Sequence, residues 1–249
     1  MARVLQYNSS HVMAGVGTMS RTLHTFSSQD ALIEVLSKSI IDQLQEAIDQ
    51  KGKASLIVSG GNTPKPLFKK LSEASLAWEK VSVGLCDERW IPSSDENSNE
   101  NLVKTYLLQG NASKATFIGM YNEELYVQMA EKWCTQKMKE SLFPFDVLVL
   151  GMGNDAHTAS LFPDNVKLEK AFDLENNDLC IAIEPTTAPY VRMSLTRSAI
   201  LSAKYIYLHF EGEEKLAVYG DVITGDDMYK MPIRSVLNQD IKDVEVYYA

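Results

Sequence analysis

Apolar residues recur along this chain with two distinct periods. Leu32, Leu36, Ile40, Leu44 and Ile48 fall four apart, and Ile33 and Ile41 widen the stripe. That spacing predicts a helix beginning at Ser27 with one buried face. Asp30, three positions after Ser27, gives a capping-box-like start, and Lys51-Gly52 gives the usual stop. Val147–Leu150 is instead a short, β-branched run bounded by turn residues, the signature of a strand buried on both faces. Further strands are expected over Arg21–Phe26, Ala54–Val58, Val81–Cys86, Ala115–Ile118, Leu179–Ile183, Tyr190–Leu195, Tyr205–Phe210 and Val244–Tyr248. Helical stretches follow from about Asn99, over Glu123–Ser141 with Leu125, Met129 and Trp133 on one face, and after Glu211–Lys215. After the His157 loop the chain reads as acidic and irregular to about Asp178. Strands alternating with helices predict an α/β fold, a doubly wound, mostly parallel sheet with helices on both faces. Residues 1–18 show no clear period and read as a loose lead-in to a single domain over 19–249.

In such a sheet, ligands bind outside the carboxyl ends of the strands. Three strand ends carry candidate chemistry. After Ala54–Val58 comes Ser59-Gly60-Gly61-Asn62-Thr63-Pro64, where Thr63 is expected to cap a helix and Pro64 to fill its first position. Free N–H groups there and the helix dipole would face one point and suit an anion; two glycines equally suit an ordinary tight turn. After Val81–Cys86 comes Asp87-Glu88-Arg89-Trp90-Ile91-Pro92, where Arg89 offers a planar fork of donors, though a charge run is often a surface ion-pair cluster. After Val147–Leu150 come Gly151 and Gly153, then Asp155, His157, Thr158 and Ser160, closed by Pro163. His157 is the reactive side chain of this loop, whereas His11, His24 and His209 fall in an unpatterned tail or on strands and read as structural.

Composition narrows the class. The 249 residues are 45% apolar, enough for a sizeable core. A net charge of −9 argues against nucleic-acid and anionic-membrane partners, and obliges any bound phosphate to rely on a few local cations and backbone N–H groups. Cys86, Cys134 and Cys180 form no paired motif, so neither a disulfide framework nor a zinc site is expected, and reduced thiols fit a cytoplasmic protein. The first residues lack the apolar centre of a signal peptide, and no run approaches membrane-spanning length. Gly151-Met152-Gly153-Asn154-Asp155-Ala156 fits a dinucleotide fingerprint, but it lies mid-chain, and His157, Thr158 and Ser160 crowd the place where the long helix should start. The serine-hydrolase elbow, the zinc-hydrolase helix motif and the nucleotide-triphosphate loop are all missing from the sequence.

Taken together, SGGNTP (59–64), DERWIP (87–92) with SN (98–99), GMGNDAHTASLFP (151–163) and RMSLT (192–196) resemble the 6-phosphogluconolactonase family, from about residue 25 to the end. The resemblance implies a Rossmann-like fold shared with glucosamine-6-phosphate deaminase, ribose-5-phosphate isomerase and coenzyme A transferase relatives. It implies hydrolysis of 6-phospho-D-glucono-1,5-lactone to 6-phospho-D-gluconate, the second step of the oxidative pentose phosphate pathway. It implies no obligatory metal or organic cofactor, a phosphorylated sugar lactone as the small-molecule partner, and a monomer or small homo-oligomer. His157 would be the general base and Asp155 would position its loop, with no direct bond between them inferred. Gly60, Gly61, Asn62 and Thr63 would hold the phosphate through N–H groups, with Arg89, Arg192 and Lys215 supplying charge; one arginine would instead face the lactone carbonyl. Asp87 and Gly153 complete the expected substrate contacts.

Two positions depart from related patterns. Ala156 stands where the family usually has glycine, at a cost of about 1 kcal/mol if the position needs a positive φ. In the deaminase a carboxylate follows the histidine by five residues; here Phe162 occupies that place, which favours the lactonase over the deaminase. A non-catalytic sugar-phosphate-binding regulator is the third alternative, and the intact His157 argues against it.

Overall fold

The computed structural model describes residues 21–249. The lead-in expected over residues 1–18, with His11, lies outside them.

The first strand, β1 (Arg21–Thr25), leads into α1 (Gln29–Lys51), whose buried face is the predicted four-residue stripe. The cap is Ser28 rather than Ser27: Ser28 has extended backbone and its hydroxyl accepts the Ala31 N–H at 3.3 Å, leaving Asp30 in the first turn where the dipole favours it. Gly52 ends the helix at φ 75°, its N–H bonding the Ile48 carbonyl at 2.8 Å. Next come β2 (Ala54–Val58), α2 (Lys65–Ser72), β3 (Val81–Leu85) and β4 (Asp87–Arg89). Helix α3 (Asn99–Tyr106), β5 (Thr116–Phe117), α4 (Val127–Ser141) and β6 (Val147–Leu150) follow. The stretch expected to be irregular contains the short α5 (Leu168–Phe172), before β7 (Cys180–Ile183), β8 (Arg192–Leu195) and α6 (Arg197–Leu201). The chain closes with β9 (Tyr205–Phe210), α7 (Glu213–Thr224), α8 (Arg234–Leu237) and β10 (Val244–Tyr248).

Seven strands form one all-parallel sheet in the order β1-β10-β9-β6-β2-β3-β5, flanked by helices. Its centre is dry, every residue of β2 and β6 being buried, as continuous apolar runs require of a sheet covered on both faces. The other three strands were not separable from these by sequence pattern. β4, β8 and β7 form a small antiparallel sheet that pairs Arg89 with Arg192 and Asp87 with Ser194. The run from Asp87 is therefore a strand carrying alternate side chains to opposite faces rather than a surface loop.

Helix α4 also differs from expectation. It begins at Val127 and buries Val127, Ala130, Cys134 and Met138 against the small sheet, while Met129 is 67% exposed. Small residues let the helix approach closely; Leu125 and Trp133 of the expected stripe pack partly buried against the core, and Met129 faces out. The three cysteines are buried and unbridged.

Candidate active site

The carboxyl ends of β9, β6 and β2, neighbours at the middle of the large sheet, open into one cavity of about 220 Å³. This is where an open parallel sheet is expected to bind its ligand. The cavity is lined by the glycine turn after β2, the His157 loop after β6, and His209 and Lys215 at and beyond the end of β9. Asp87, Arg89 and Arg192 reach the same space from the small sheet.

The glycine turn is held at both ends. The Ser59 N–H bonds the Val149 carbonyl at 3.1 Å, and the Lys65 N–H bonds the Asn62 carbonyl at 3.2 Å. Between them, the N–H groups of Gly60, Gly61, Asn62 and Thr63 donate to no acceptor among the described residues. Gly61 adopts φ 99°. Gly60 has a steric reason: a Cβ there would stand 1.9 Å from Asn99 Oδ1. Pro64, not Thr63, is the capping residue of α2, and no side-chain bond caps that helix. Thr63 is thus left in the turn, lining the cavity.

The His157 loop is a tight coil. The Gly153 N–H bonds the His157 carbonyl and the Ala156 N–H bonds the Gly153 carbonyl, both at 3.0 Å. The Thr158 hydroxyl donates to the Gly151 carbonyl at 2.9 Å. His157 Nδ1 lies 2.5 Å from Asp155 Oδ1, a direct contact the spacing alone did not reveal. The same carboxylate oxygen accepts the His157 backbone N–H at 3.1 Å. Burial raises the Asp155 carboxyl, but the bonds and charge of His157 outweigh burial and leave it below the ordinary value. A Cβ on Gly153 would sit 2.2 Å from His157 Nδ1, so glycine is the residue that admits the imidazole. Ala156 is fully buried at φ 62°, the left-handed conformation in which alanine is strained.

Phe162 joins the two halves of the site. Its ring lies 4.5 Å from the His157 ring, and the Arg192 guanidinium carbon lies 5.2 Å from it. Ser160 makes a second tie: its hydroxyl donates to Asp87 Oδ2 at 2.5 Å and its N–H donates to Ser194 Oγ at 3.1 Å. Asp87 is buried, with Arg192 Nη1 at 3.8 Å from the same oxygen. It braces the loop and the arginine as well as lining the cavity.

The cations differ in how far they are engaged. Arg192 gives Nη2 to the Pro189 carbonyl at 3.2 Å and Arg89 gives Nη1 to the Asn97 carbonyl at 2.6 Å. Among the described residues the Nε of each is buried without a partner, and each retains further donors. Burial lowers Arg192, opposed by the nearby Asp87 carboxylate. Lys215, in the first turn of α7, makes no ion pair or hydrogen bond among the described residues, and burial lowers it against the pull of Glu211 and Glu214.

Three contributors escaped sequence reading. His209 does have the structural bond expected of it, Nε2 lying 2.9 Å from Glu211 Oε1, but its ring also lines the cavity. Asn99 lies against Gly60 and donates to the Asp87 carbonyl at 2.8 Å. Glu88, on the opposite face of β4 from the cavity, accepts four hydrogen bonds and is raised by burial to about 7 in spite of them. The strand-end position of DERWIP and SN was their available signal. Among the described residues no group of three or more His, Cys, Asp or Glu side chains is placed to hold a metal ion.

Comparison with known proteins places this geometry. Residues 27–246 match the family model described as glucosamine-6-phosphate isomerases/6-phosphogluconolactonase. A 6-phosphogluconolactonase of Pseudomonas putida is 39% identical over 227 residues, covering 91% of this chain and 92% of that protein. The structure of a 6-phosphogluconolactonase from Shewanella baltica is 46% identical with a TM-score of 0.88, covering 91% of this chain and 96% of that one. The 6-phosphogluconolactonase structure from Thermotoga maritima, at 22% identity and a TM-score of 0.74, shares the fold over 92% of this chain and 100% of its own.

Proposed function

The chain belongs to the glucosamine-6-phosphate isomerase/6-phosphogluconolactonase family, and from that premise we propose that it hydrolyses 6-phospho-D-glucono-1,5-lactone to 6-phospho-D-gluconate. The observation that carries this reading is the meeting, in one cavity, of an imidazole oriented by a carboxylate with four unused backbone N–H groups.

A lactone is an activated ester, so water attacks C1 once a base, a home for the developing oxyanion and a grip on the remote phosphate are supplied. Asp155 at Nδ1 favours the tautomer with the proton on that nitrogen, leaving the Nε2 lone pair to take a proton from water. After attack, the same nitrogen returns the proton to the ring oxygen as the C1–O bond breaks. The phosphate rests on the N–H groups of residues 60–63, and Arg89 and Lys215 supply charge. Arg192 lies on the same aromatic ring as His157, which favours it as the group facing the lactone carbonyl. Phosphate binding away from C1 orients the ring, a legitimate source of rate.

The apolar Phe162 against His157 supports the lactonase over the deaminase. An apolar ring at that position cannot orient the imidazole or relay its proton as the deaminase's carboxylate does. A coupled assay on freshly generated 6-phosphogluconolactone, run beside glucosamine 6-phosphate, tests the proposal. Turnover of the lactone alone is expected; turnover of the amino sugar alone would replace it with the deaminase reading.

A further inference from the structure

Glu88 lies 1% exposed between two cavity-lining residues of β4 and does not line the cavity itself. Strand alternation sends Asp87 and Arg89 to the cavity and Glu88 away from it, against the start of α3. One carboxylate oxygen accepts the N–H groups of Arg89 and Asn99, each at 2.8 Å. The other accepts the Glu100 N–H at 2.8 Å and the Ser98 hydroxyl at 3.0 Å. Three of the four bonded residues lead to the ligand side. Arg89 carries the guanidinium, Ser98 follows Asn97, whose carbonyl holds that guanidinium, and Asn99 packs on Gly60 of the turn.

We propose that Glu88 is the positioning residue of the phosphate-binding side, setting Arg89 and the glycine turn in register through one buried carboxylate. The inference rests on the phosphate-lactone reading above. All four partners of Glu88 are donors, which a carboxylate matches at every position. A protonated carboxyl must aim its own O–H at a donor and gives up part of the set. The carboxyl takes up its proton at about pH 7, so the grip on phosphate loosens as pH falls through that value. The charged groups around it are Asp87 and Arg89 on its own strand, Arg192 on β8, Glu100 at the start of α3 and Asp95 in the preceding loop. None of their side chains bonds Glu88, so the four donors are what its charge answers to.

The test measures Glu88→Gln and wild type with 6-phosphogluconolactone and with unphosphorylated glucono-1,5-lactone from pH 6 to 8.5, together with inorganic phosphate binding by calorimetry. The loss of about one charge-assisted bond predicts an increase of about tenfold in KM for the phosphorylated lactone, with kcat little changed. Phosphate binding should weaken by a similar factor, while the unphosphorylated lactone is handled as by wild type. The wild-type KM should rise more steeply below pH 7 than that of the variant, which keeps only the dependence of the substrate's own phosphate, whose second pKa is about 6. Equal losses on both lactones, or a fall in kcat with KM unchanged, would make Glu88 merely structural and overturn the proposal. If Glu88→Gln does not fold, Glu88→Asp, which retracts the charge by one methylene, must show the same split between substrates. If wild type hydrolyses neither lactone, the lactonase reading fails, while phosphate binding still decides the role of Glu88.

Discussion

The two sheets contribute to the site in different currencies. The large parallel sheet ends in loops that present backbone N–H groups and the His157 imidazole, held by short local hydrogen bonds, with His209 and Lys215 added at and beyond the end of β9. The small antiparallel sheet presents side-chain charge: Asp87 and Arg89 on β4 and Arg192 on β8, with Arg89 opposite Arg192 in the strand register. In a chain of net charge −9, fixed N–H dipoles bind an anion without adding cations, and two arginines on paired strands concentrate charge where it is needed. Phe162 and Ser160 bridge the two regions, so the division of labour survives only while that seam is intact.

Substitutions on either side of the seam should separate chemistry from grip. The largest effect is expected on the parallel side. Gly153→Ala has no positive φ to violate, but its Cβ would displace the His157 ring, so kcat should fall by about 10²–10⁴-fold with the fold retained. Steady-state kinetics with a circular dichroism control checks this; near-normal kcat would mean the ring adapts. On the antiparallel side, Arg89→Ala removes one charged contact, worth about 10–100-fold in KM for the phosphorylated lactone. Arg192→Ala should lower kcat as well, because it also takes away the cation beside Phe162 and leaves Asp87 with the Ser160 hydroxyl but without its neighbouring positive charge. Equal effects of Arg89→Ala on phosphorylated and unphosphorylated lactones would erase the distinction between the regions.

The smallest expected effect concerns stability. Ala156→Gly relieves about 1–2 kcal/mol of left-handed strain. It restores about 0.5–1 kcal/mol of unfolded-chain entropy, and the buried methyl is lost. The net gain should stay below about 1 kcal/mol, a rise in Tm of no more than about 3 °C, with kinetics unchanged. A lower Tm would show that the methyl's packing outweighs the strain.

The same contrast explains what could be read from sequence. The central strands β2 and β6 of the parallel sheet carry nearly continuous apolar runs, and Ala54–Val58, Tyr205–Phe210 and Val244–Tyr248 were bounded to the residue. The positive φ at Ala156 was foreseeable because the requirement is local. Strands β7 and β8 were expected, but their grouping with β4 in a separate sheet was hidden, because β4 is three residues long and pairs with β8 across about a hundred residues of chain. Asp87 to Arg89 therefore looked like a charged loop. For α4, residue size pointed to Leu125, Met129 and Trp133, whereas the face most deeply buried against β7 and β8 carries Ala130, Cys134 and Met138. The Nδ1 contact of His157 depends on how the loop coils around Gly153, which two-residue spacing does not specify.

The most direct test of the account is the rate at which wild type and His157→Ala hydrolyse freshly generated 6-phosphogluconolactone. General-base loss predicts a kcat about 10²–10⁴-fold lower for the variant, with its fold and its affinity for inorganic phosphate retained. Wild-type turnover by His157→Ala would contradict the assignment of the imidazole and, with it, the division of work between the two sheets.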